Sequence, residues 1–536
     1  MNTQILLKMT IKENKFLLFL FFFLLHLIFQ FSKIPLEYAY GGDGHSKLIQ
    51  SVSLFENSFQ SENILYPGSD LDPEFHFYPS WFLIRNGESH LGVFPVFFSF
   101  LNALLLFIMK PKFLILPWFL LLFVTLRILA STREGLRLES LILLSAGTPF
   151  FFSGFEFTEH PLIFFLQILS IYFYFRPSKR NYFLSGFFLL SIVFLRLEVL
   201  FFVFYFSIFV CVVRYRFNLL LFLKEEKYFL IGSLIPIFLF LIYNQIQYSH
   251  PLGTRYLANE AIFQTGWIHR TIRVITLLFG WKFKLGYFGF SFFFLLSIIY
   301  FLKPTKFQLL EEIDKIYLLT ILFFIPTITL LAPNDGAVNW GSRYINLAIV
   351  PNIFLVNRWI GLNWNRNRFK ILVFGLGIVS YLFLNMGIQF LKGAAGQLKL
   401  VNREIYSVSC DIRIFPTYYL PLYSGLDYFQ SVILVVNEPK KLKELNSTLS
   451  NVNSSSEICL VDLTHTFKAI SGLLPEKKQK SDESIFDLAE DSNRQVGVSP
   501  DSQFEDLLFQ TLEENLEKKH VESGTIIETR FYKKKE

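Results

Sequence analysis

The sequence has little charge for its length. Only 17% of the 536 residues are Asp, Glu, Lys or Arg, whereas 52% are hydrophobic and 67 are phenylalanine. A water-soluble globular protein could not hide so large an excess of apolar side chains in its core. The scarcity of charge therefore excludes the soluble class and indicates a protein that lies largely within a membrane.

Cysteine is also scarce, at three residues. Cys211 falls within a hydrophobic stretch, while Cys410 and Cys459 lie near the C-terminal end. The sequence has no Cys-x-x-Cys pair and no close Cys/His cluster, which argues against a structural zinc site. Whether Cys410 and Cys459 form a disulfide stays open, since that bond requires this part of the chain to lie outside the cytoplasm.

Apolar stretches recur from Phe16 to about Leu391, and each, at roughly 16 to 22 residues, is long enough to cross the hydrocarbon as a helix. The first is taken as an uncleaved anchor, because no convincing small-x-small cleavage site follows it. We therefore predict an α-helical polytopic membrane protein with a membrane domain at 1–391 and a small C-terminal α/β domain at 392–536. In the tail, the patterns indicate strands at 431–437 and 457–463, a flexible linker at 475–503 and a helix at 504–522.

Basic residues predict the orientation of such a chain, because positively charged loops are retained in the cytoplasm. Clusters of basic residues separate the apolar stretches at 133–137, 176–180, 214–227, 303–315 and 358–370. If all of them are cytoplasmic, the segments on the opposite side are 32–91, 155–160, 247–285, 333–342 and the tail. The net charge of +7 lies mainly in the cytoplasmic loops, so it does not indicate nucleic-acid binding.

One apolar stretch breaks the alternation. Both 92–109 and 113–130 lie between the first outer loop, 32–91, and the cytoplasmic cluster that begins at Arg133, so only one of them can cross. We assign 92–109 to a re-entrant or interfacial element, which leaves about 11 membrane-spanning helices. If both stretches crossed, everything downstream would be inverted and the basic clusters would lie outside.

Asp43 stands between Gly42 and Gly44, soon after the first apolar stretch. A carboxylate held by flexible backbone at the water boundary is suited to act as a general base toward an acceptor hydroxyl. The same Gly-Asp-Gly pattern is typical of an ordinary turn. The residue by itself leaves both interpretations open.

Other charged residues interrupt or end apolar stretches. Glu156, Glu159 and His160 fall within one short segment, which suits binding of a divalent metal ion, a diphosphate or a sugar, or else a polar turn before the next helix. Arg196 and Glu198 interrupt the apolar run 182–213. They form either a functional intramembrane pair or a tight turn between two short spans.

Cations also occur on the predicted non-cytoplasmic side, against the charge rule. Arg255 is one of five basic residues in 247–285, a pattern that favours an anion such as phosphate but that snorkelling side chains also produce. Arg343 and Tyr344 follow Trp340-Gly341-Ser342. Arginine suits phosphate recognition and aromatic rings suit sugar stacking, while an aromatic belt with a boundary cation is the alternative.

The order of these motifs resembles the GT-C superfamily of integral-membrane glycosyltransferases, including its protein mannosyltransferase and aminoarabinose transferase branches. The resemblance extends from Phe16 to about Arg358. Its parts, in chain order, are Gly41-Gly42-Asp43, Phe94-Pro95, Thr148-Pro149 before Glu156 and Glu159, Ser185-Gly186, Arg196-Leu197-Glu198, Tyr243-Asn244, Pro251-Leu252-Gly253-Thr254-Arg255-Tyr256, Gly341-Ser342-Arg343-Tyr344 and Pro351.

The resemblance implies that Asp43 is the catalytic base and that Glu156 or Glu159 is the second-loop acid, which positions the substrate or a metal. It implies phosphate contacts from Arg255 and Arg343. The residues expected to bind substrate are Glu156, Glu159, His160, Arg196, Arg255, Tyr256, Arg343 and Tyr344. Glu replaces the more usual Asp in the second loop and Phe94-Pro95 lacks a basic residue, which leaves metal dependence and the donor open.

We therefore expect a glycosyltransferase of the lipid bilayer, a hexosyl- or pentosyltransferase. The donor implied by the resemblance is a sugar on a polyprenyl phosphate, and the acceptor is an envelope glycan, lipid or protein. In a bacterium this places the chain in the cytoplasmic membrane, with the active site and tail on the outer side. No nucleic acid is expected, and no cofactor is certain; a divalent metal ion on Glu156 and Glu159 is left open. The alternatives are a non-catalytic lipid or polysaccharide flippase, and a structural envelope protein.

Overall fold

A computed structural model describes residues 18–40, 42–80, 82–132, 136–176, 178–259, 267–281, 284–333, 343–417, 420–421, 424–464 and 502–535. Most of the linker predicted at 475–503 lies outside these residues. The chain divides into two compact units, which we call the helical unit (Met1–Ile34 with Leu114–Lys392) and the mixed unit (Pro35–Phe113 with Gly393–Glu536).

Helices make up most of the described chain, because a helix satisfies its own backbone hydrogen bonds and so tolerates hydrocarbon. In chain order they are α1 Leu18–Phe31, α2 Asp43–Glu56, α3 Val96–Leu105, α4 Ile115–Thr132, α5 Leu138–Gly147, α6 Pro149–Phe152, α7 His160–Tyr174, α8 Lys179–Ser191, α9 Glu198–Val213, α10 Leu219–Glu225, α11 Lys227–Tyr248, α12 Gly253–Asn259, α13 Trp267–Phe279, α14 Tyr287–Phe290, α15 Phe292–Leu302, α16 Pro304–Phe307, α17 Glu312–Leu331, α18 Ile349–Asn363, α19 Asn367–Tyr406, α20 Lys441–Ser450 and α21 Ser502–Asn515.

Five helical segments of the described residues are long and apolar enough to cross a membrane: Pro111–Ser131, Lys227–Tyr248, Glu312–Leu331, Arg343–Asn363 and Asn367–Tyr406. A sixth results if α5 and the helical residues Pro149–Phe155, bent by 47°, form one broken span. Helices α1, α3, α7, α9 and α15 are apolar but shorter, at 10 to 17 residues. The polytopic helical fold is as predicted, and the number of about 11 crossings stays a prediction.

The apolar run 182–213 is divided into two helices. α8 ends at Ser191, Ile192–Phe194 form a 3-10 turn, and α9 begins at Glu198. Arg196 therefore lies in the turn between the helices, and Glu198 lies in the first turn of α9, where the helix dipole favours a carboxylate. The backbone at Arg196 and Glu198 therefore forms the tight turn that was one of the two interpretations of the sequence.

Two glycines allow α8 and α11 to pack closely. A Cβ atom added at Gly232 would lie 2.1 Å from the carbonyl oxygen of Phe183, and one added at Gly186 would lie 2.0 Å from that of Phe229. Small residues permit such close approach of helices in a membrane. The hydroxyls of Ser170 and Ser185, 3.1 Å apart, join α7 to the same group, so α7, α8 and α11 pack as one bundle.

The strands lie in two short hairpins and one larger sheet. The hairpins are β1 Leu83–Asn86 with β2 Ser89–Gly92, and β3 Gly280–Trp281 with β4 Lys284–Leu285. The sheet, in the mixed unit, contains β5 Ile412–Phe415, β6 Val432–Val435, β7 Glu457–Leu463, β8 Leu516–Ser523 and β9 Ile527–Lys534 in the order β6-β5-β7-β9-β8. β5 runs parallel to β6 and β7, while β9 pairs antiparallel with β7 and β8.

The two strands predicted in the tail are present as β6 and β7. The helix predicted at 504–522 is right only as far as Asn515, because residues from Leu516 onward form β8 and pair with β9. The apolar spacing that indicated a helix ends at Leu512, so the pairing partner decides the conformation of the remaining residues. Cys410 and Cys459 form a disulfide with a Cα–Cα distance of 6.0 Å.

The first loop and the tail share one hydrophobic core within the mixed unit. Ile64 and Phe77 from the loop pack in the same cluster as Ile414 and Leu434 from the sheet. The backbone N–H of Val435 donates to the carbonyl oxygen of Phe77 at 2.8 Å. The sequence pattern groups the loop with the membrane domain, whereas in the structure its buried side chains pack with the tail.

Candidate active site

Four segments of the helical unit meet at one end of its helices. They are the turn before α7, the turn before α9, helix α12, and the 3-10 helix Arg343–Ala348 that precedes α18. The last of these is joined to α7 because the side-chain amide of Gln167, itself 1% exposed, donates to the carbonyl oxygen of Leu347 at 2.7 Å. Each segment brings one or more charged side chains into the space between the helix ends.

Glu159 is the centre of these charges. Its carboxylate lies 2.9 Å from Nε of Arg196 and 3.6 Å from a terminal nitrogen of Arg255. Arg196 also lies 3.2 Å from the carboxylate of Glu198. The side chains of Glu159 and Arg196 are only 3% and 4% exposed. Charges buried this deeply persist only when they are paired, so the contacts hold the four residues together.

Thr158, His160 and Tyr344 also contact the cluster. The hydroxyl of Thr158 donates to Glu159 at 3.3 Å, and a terminal N–H of Arg196 lies 3.3 Å from Nε2 of His160. The ring of Tyr344 lies 5.5 Å from the guanidinium carbon of Arg196 and 5.3 Å from that of Arg343. An aromatic face at these distances attracts both cations. Tyr344 thus links Arg343 to the buried ion pairs.

Several cations lie close together in the cluster. The guanidiniums of Arg196 and Arg255 share the carboxylate of Glu159, and Arg343 lies on the ring of Tyr344. Burial lowers the pKa of Arg255, and the neighbouring charge of Arg196 lowers it further. A bound anion would relieve this repulsion, and the planar guanidinium is well matched to the oxygens of a phosphate.

The cluster does not suit a divalent metal ion. Among the described residues, no three His, Cys, Asp or Glu side chains are grouped as a metal site would require. The carboxylate of Glu159 is already close to two guanidiniums, which would repel a divalent cation. The metal role left open for Glu156 and Glu159 therefore receives no support from this geometry.

A second ion network lies at the opposite ends of the same helices. Arg214, just after α9, lies 3.0 Å from Glu226, which precedes α11, and donates to the hydroxyl of Tyr174 at 2.7 Å. It also pairs with Glu312 at the start of α17. The ion pairs around Glu159 and around Arg214 thus lie at opposite ends of α7 and α9. Which group faces the cytoplasm remains a prediction.

Asp43 belongs to the mixed unit, where it is the half-buried first residue of α2. The preceding Gly42 has φ = 56°, in the left-handed region that favours glycine. An acidic residue in the first turn of a helix is favourably placed with respect to the helix dipole. The Gly-Asp-Gly pattern therefore forms the start of a helix, with Gly42 as the N-cap and Asp43 as the first helical residue.

Side chains of α2 hold this helix start in place. Nε2 of His45 lies 3.1 Å from the carbonyl oxygen of Gly425, in the tail. Burial lowers the pKa of His45 to about 4, so the neutral ring donates this hydrogen bond. Lys47, only 5% exposed, lies 4.8 Å from the ring centroid of Phe94. Asp43 is thus followed in α2 by two polar residues, His45 and Lys47, whose side chains are buried.

Glu156 and Tyr256, which were also predicted to bind substrate, lie in the same segments as Glu159 and Arg255. Glu156 is half-buried after the 3-10 turn Ser153–Phe155, and it is Glu159 that pairs with Arg196 and Arg255. Tyr256 stacks on His250 with a centroid distance of 4.8 Å. Arg273, another of the five basic residues in 247–285, donates to the carbonyl oxygen of Ala332 at 2.6 Å and so joins α13 to the end of α17.

Sequence reasoning did not single out Thr158 or Gln167. Gln167 offered a signal, because it is the one amide in the apolar helix α7, and a polar side chain in such a helix needs a partner. Thr158 offered none, since a threonine beside an acidic residue is common in loops. Its role emerges only from its contact with Glu159.

Comparison with known proteins finds likeness in structure and not in sequence. No protein-family model matches the chain, and no curated protein matches it. The fold is similar to that of ArnT from Cupriavidus metallidurans bound to undecaprenyl phosphate, with a TM-score of 0.46, 11% identity, and coverage of 85% of this chain and 95% of that chain. It is likewise similar to ArnT from the same organism in the apo state, with a TM-score of 0.46, 10% identity, and coverage of 85% and 94%. At these identities the likeness assigns neither a residue nor a substrate to this chain.

Proposed function

We propose that the protein is a membrane glycosyltransferase that moves a sugar from a polyprenyl-phosphate donor to an envelope acceptor. The observation that carries this proposal is that the guanidiniums of Arg196 and Arg255 both face the buried carboxylate of Glu159, with the ring of Tyr344 lying between Arg196 and Arg343. The cluster lies where helices of the helical unit end. A phosphate attached to a lipid tail is an anion that reaches such a position from within the bilayer.

In the proposed reaction, Asp43 accepts the proton of an acceptor hydroxyl as that oxygen attacks the anomeric carbon of the donor sugar. The bond between the anomeric carbon and the phosphate oxygen breaks, and the lipid phosphate leaves with the electron pair. Arg255 and Arg343 stabilise the charge that develops on the phosphate. Attack opposite the leaving group inverts the anomeric centre, and no metal ion is needed in this scheme.

Arg196 and Glu159 have a supporting role in this scheme. Their contact at 2.9 Å, with both side chains almost fully buried, orients Arg196 toward the ring of Tyr344 and limits its movement. Glu159 also faces Arg255. We therefore assign Glu159 to positioning of the two guanidiniums and Tyr344 to the side of the site that a sugar ring would contact.

The flippase alternative expects charged side chains along the middle of several spans. The two largest groups of ion pairs described for the helical unit instead lie at helix ends, around Glu159 at one end and around Arg214 at the other. This distribution favours chemistry at one face of the membrane over passage through it.

The proposal predicts that Asp43→Asn lowers turnover by about 10² to 10⁴, because an amide cannot accept the proton. The measurement is consumption of lipid-linked sugar by membranes that contain equal amounts of folded protein. Asp70→Asn, an exposed aspartate in the same loop, is the matched control and should retain full turnover. A well-folded Asp43→Asn protein with unchanged turnover would contradict the role of Asp43.

A further inference from the structure

Arg413 is a buried cation in the sheet of the mixed unit, with 4% of its surface exposed. Two of its nitrogens donate to backbone carbonyl oxygens, that of Cys410 at 3.1 Å and that of Val408 at 2.8 Å. A carbonyl oxygen accepts a hydrogen bond but does not neutralise a charge. Because a buried charge is costly unless it is paired, the guanidinium requires a counter-ion.

The carboxylates near Arg413 are engaged elsewhere. That of Asp411 accepts from the backbone N–H of Glu457 at 2.9 Å, and that of Asp427 accepts from the side-chain amide of Gln430 at 2.8 Å. Within the part of the chain that the structure describes, neither they nor any other carboxylate lies within ion-pair distance of Arg413. Burial lowers the pKa of Arg413, and the two carboxylates offset this only in part.

Three hydroxyl groups lie beside this cation. The guanidinium carbon of Arg413 is 4.5 Å from the ring centroid of Tyr406, and the side chains of Ser424 and Ser431 face the hydroxyl of that ring. The three hydroxyl oxygens and Nε of Arg413 are all buried, and none has a hydrogen-bond partner among the described residues. Four groups that can donate are therefore buried together without an acceptor.

Strand pairing explains why these side chains lie together. β5 pairs in parallel with β6, and Arg413 is opposite Ile433. Side chains two positions apart on extended backbone point to the same face of a sheet. Ser431 is extended, with φ = −149°, and lies two positions before Ile433, so it shares the face of Arg413. Tyr406 ends α19, and Ser424 lies in the connection between β5 and β6.

We propose that these four groups bind a small monovalent anion, chloride, between the guanidinium of Arg413 and the three hydroxyls. One guanidinium supplies a single positive charge, so a monovalent anion neutralises it, whereas a doubly charged phosphate would leave a buried negative charge. A hydrogen bond from an ionised donor to an anion is also stronger than one between neutral groups. The site belongs to the mixed unit and does not depend on the proposed glycosyl transfer.

Occupancy of the site also affects the start of α2. The carbonyl oxygen of Ser424 accepts from the side-chain amide of Asn402 at 3.0 Å, and the carbonyl oxygen of the next residue, Gly425, accepts from His45 at 3.1 Å. An anion that holds the hydroxyl of Ser424 in place therefore also holds the acceptor of His45. Chloride should thus protect both the segment 424–431 and the first turns of α2.

The test is hydrogen exchange of the full chain in detergent, with chloride replaced stepwise by gluconate at constant ionic strength. Chloride should slow exchange in peptides that cover 424–431, by about 10-fold at ten times its dissociation constant, and bromide should act in the same way. Arg413→Gln should abolish this dependence. Arg530→Gln, in β9, is the matched control and should retain it, because Arg530 already pairs with Glu528 at 2.8 Å.

Ser431→Ala provides a milder variant in case Arg413→Gln does not fold. It removes one donor and no charge, so more chloride should be needed for the same protection. Exchange in the wild-type protein that does not respond to chloride would overturn the proposal. An unchanged response in both Arg413→Gln and Ser431→Ala would also overturn it, because the anion would then bind elsewhere. A response that appears only in Asp427→Asn would identify Asp427 as the counter-ion instead.

Discussion

Glu159 shows how burial increases the energetic cost of removing one partner of an ion pair. It faces both Arg196 and Arg255 at the end of α7, with 3% of its side chain exposed. The pair Arg358–Glu311 has a similar N–O distance of 3.0 Å, but its side chains are 35% and 51% exposed. Exposed pairs contribute about 0 to 1 kcal/mol, whereas removing one partner of a buried pair costs about 3 to 5 kcal/mol.

We therefore expect Glu159→Gln to lower the free energy of unfolding by about 3 to 5 kcal/mol, because it removes the buried negative charge that faces both Arg196 and Arg255. Glu311→Gln, its control, should lower it by less than about 1 kcal/mol. Thermal unfolding in detergent measures both. If inorganic pyrophosphate restores stability to Glu159→Gln and not to Glu311→Gln, the cluster binds anions; equal loss in the two variants would show that Glu159 is not buried as described.

Burial of His45 predicts that the stability of the mixed unit depends on pH. Its pKa is lowered by burial to about 4 from an ordinary value of 6.5, so the unfolded state binds the proton more readily. Stability is therefore fully present above pH 6.5 and falls as the pH drops toward 4, by about 3 kcal/mol at most. Hydrogen exchange of the α2 amides, corrected for the intrinsic rate, should show this loss.

The glutamine variant tests the cause. His45→Gln keeps a donor for the carbonyl of Gly425 but does not titrate, so the loss of protection between pH 6.5 and 4 should become smaller. His520→Gln, at a side chain that is 52% exposed, should leave it unchanged. A pH profile that is the same in all three proteins would assign the dependence to another group.

Charged residues at the ends of apolar stretches could be identified from the sequence one at a time. Glu159, Arg196, Arg255 and Arg343 were all named in this way, because charge beside hydrocarbon needs a reason. Their mutual contacts could not be predicted, since the four residues are separated by 37, 59 and 88 positions. Only helix packing brings them together.

At the scale of elements, the crossing of α8 and α11 controls where the site's segments lie. Gly232 meets the backbone of α8, which cannot move aside as a side chain would. α11 leads through Pro251 to α12, and the side-chain amide of Asn244 donates to the carbonyl oxygen of Pro251 at 3.3 Å. A shift of α11 would therefore move Arg255 relative to Glu159.

Gly232→Leu should lower the thermal unfolding temperature, with a cost of about 1 to 3 kcal/mol or more from overpacking, and should reduce glycosyl transfer. Gly375→Ala is the control, because a Cβ atom at Gly375, within α19, meets nothing within 4 Å. That variant should be neutral or slightly stabilising. Normal stability and turnover in Gly232→Leu would show that α8 and α11 do not pack this closely.

Strands whose own sequence has a strand pattern were predictable, whereas a strand that forms only by pairing with another strand was not. β6 and β7 are short apolar runs rich in Val and Ile, as expected of buried strands. β8 is charged at Glu517, Lys518 and Lys519 and carries no strand pattern. It is a strand because β9 supplies its hydrogen bonds, and that pairing is invisible in the β8 sequence alone.

At the scale of the whole molecule, the mixed unit combines two parts of the chain that the apolar stretches keep apart. Its core contains Ile64 and Phe77 together with strands β5, β6 and β7. The disulfide Cys410–Cys459 crosses this core and connects residues 49 positions apart. Hydropathy reports where helices cross a membrane and carries no information about which loops pack together, so this grouping was not predictable.

The double variant Cys410→Ser and Cys459→Ser should destabilise the mixed unit by about 2 to 4 kcal/mol. Because the core is shared, the first loop should loosen as well, and trypsin should cleave faster after Arg85, an exposed residue of β1. Cys211→Ser, in the helical unit, is the control and should leave cleavage unchanged. Faster cleavage in the tail alone would show that loop and tail fold independently.

The shared core also affects how the protein is made. The hydroxyl of Tyr428 donates to the carbonyl oxygen of Leu65, a contact between residues 363 positions apart. At ribosomal speeds of about 5 to 20 residues per second, Leu65 is synthesised about 20 to 70 s before Tyr428. During that interval Phe77 and its neighbours have no sheet to cover them. The first loop, which carries Asp43, therefore reaches its final arrangement only after the strands of the sheet have been synthesised.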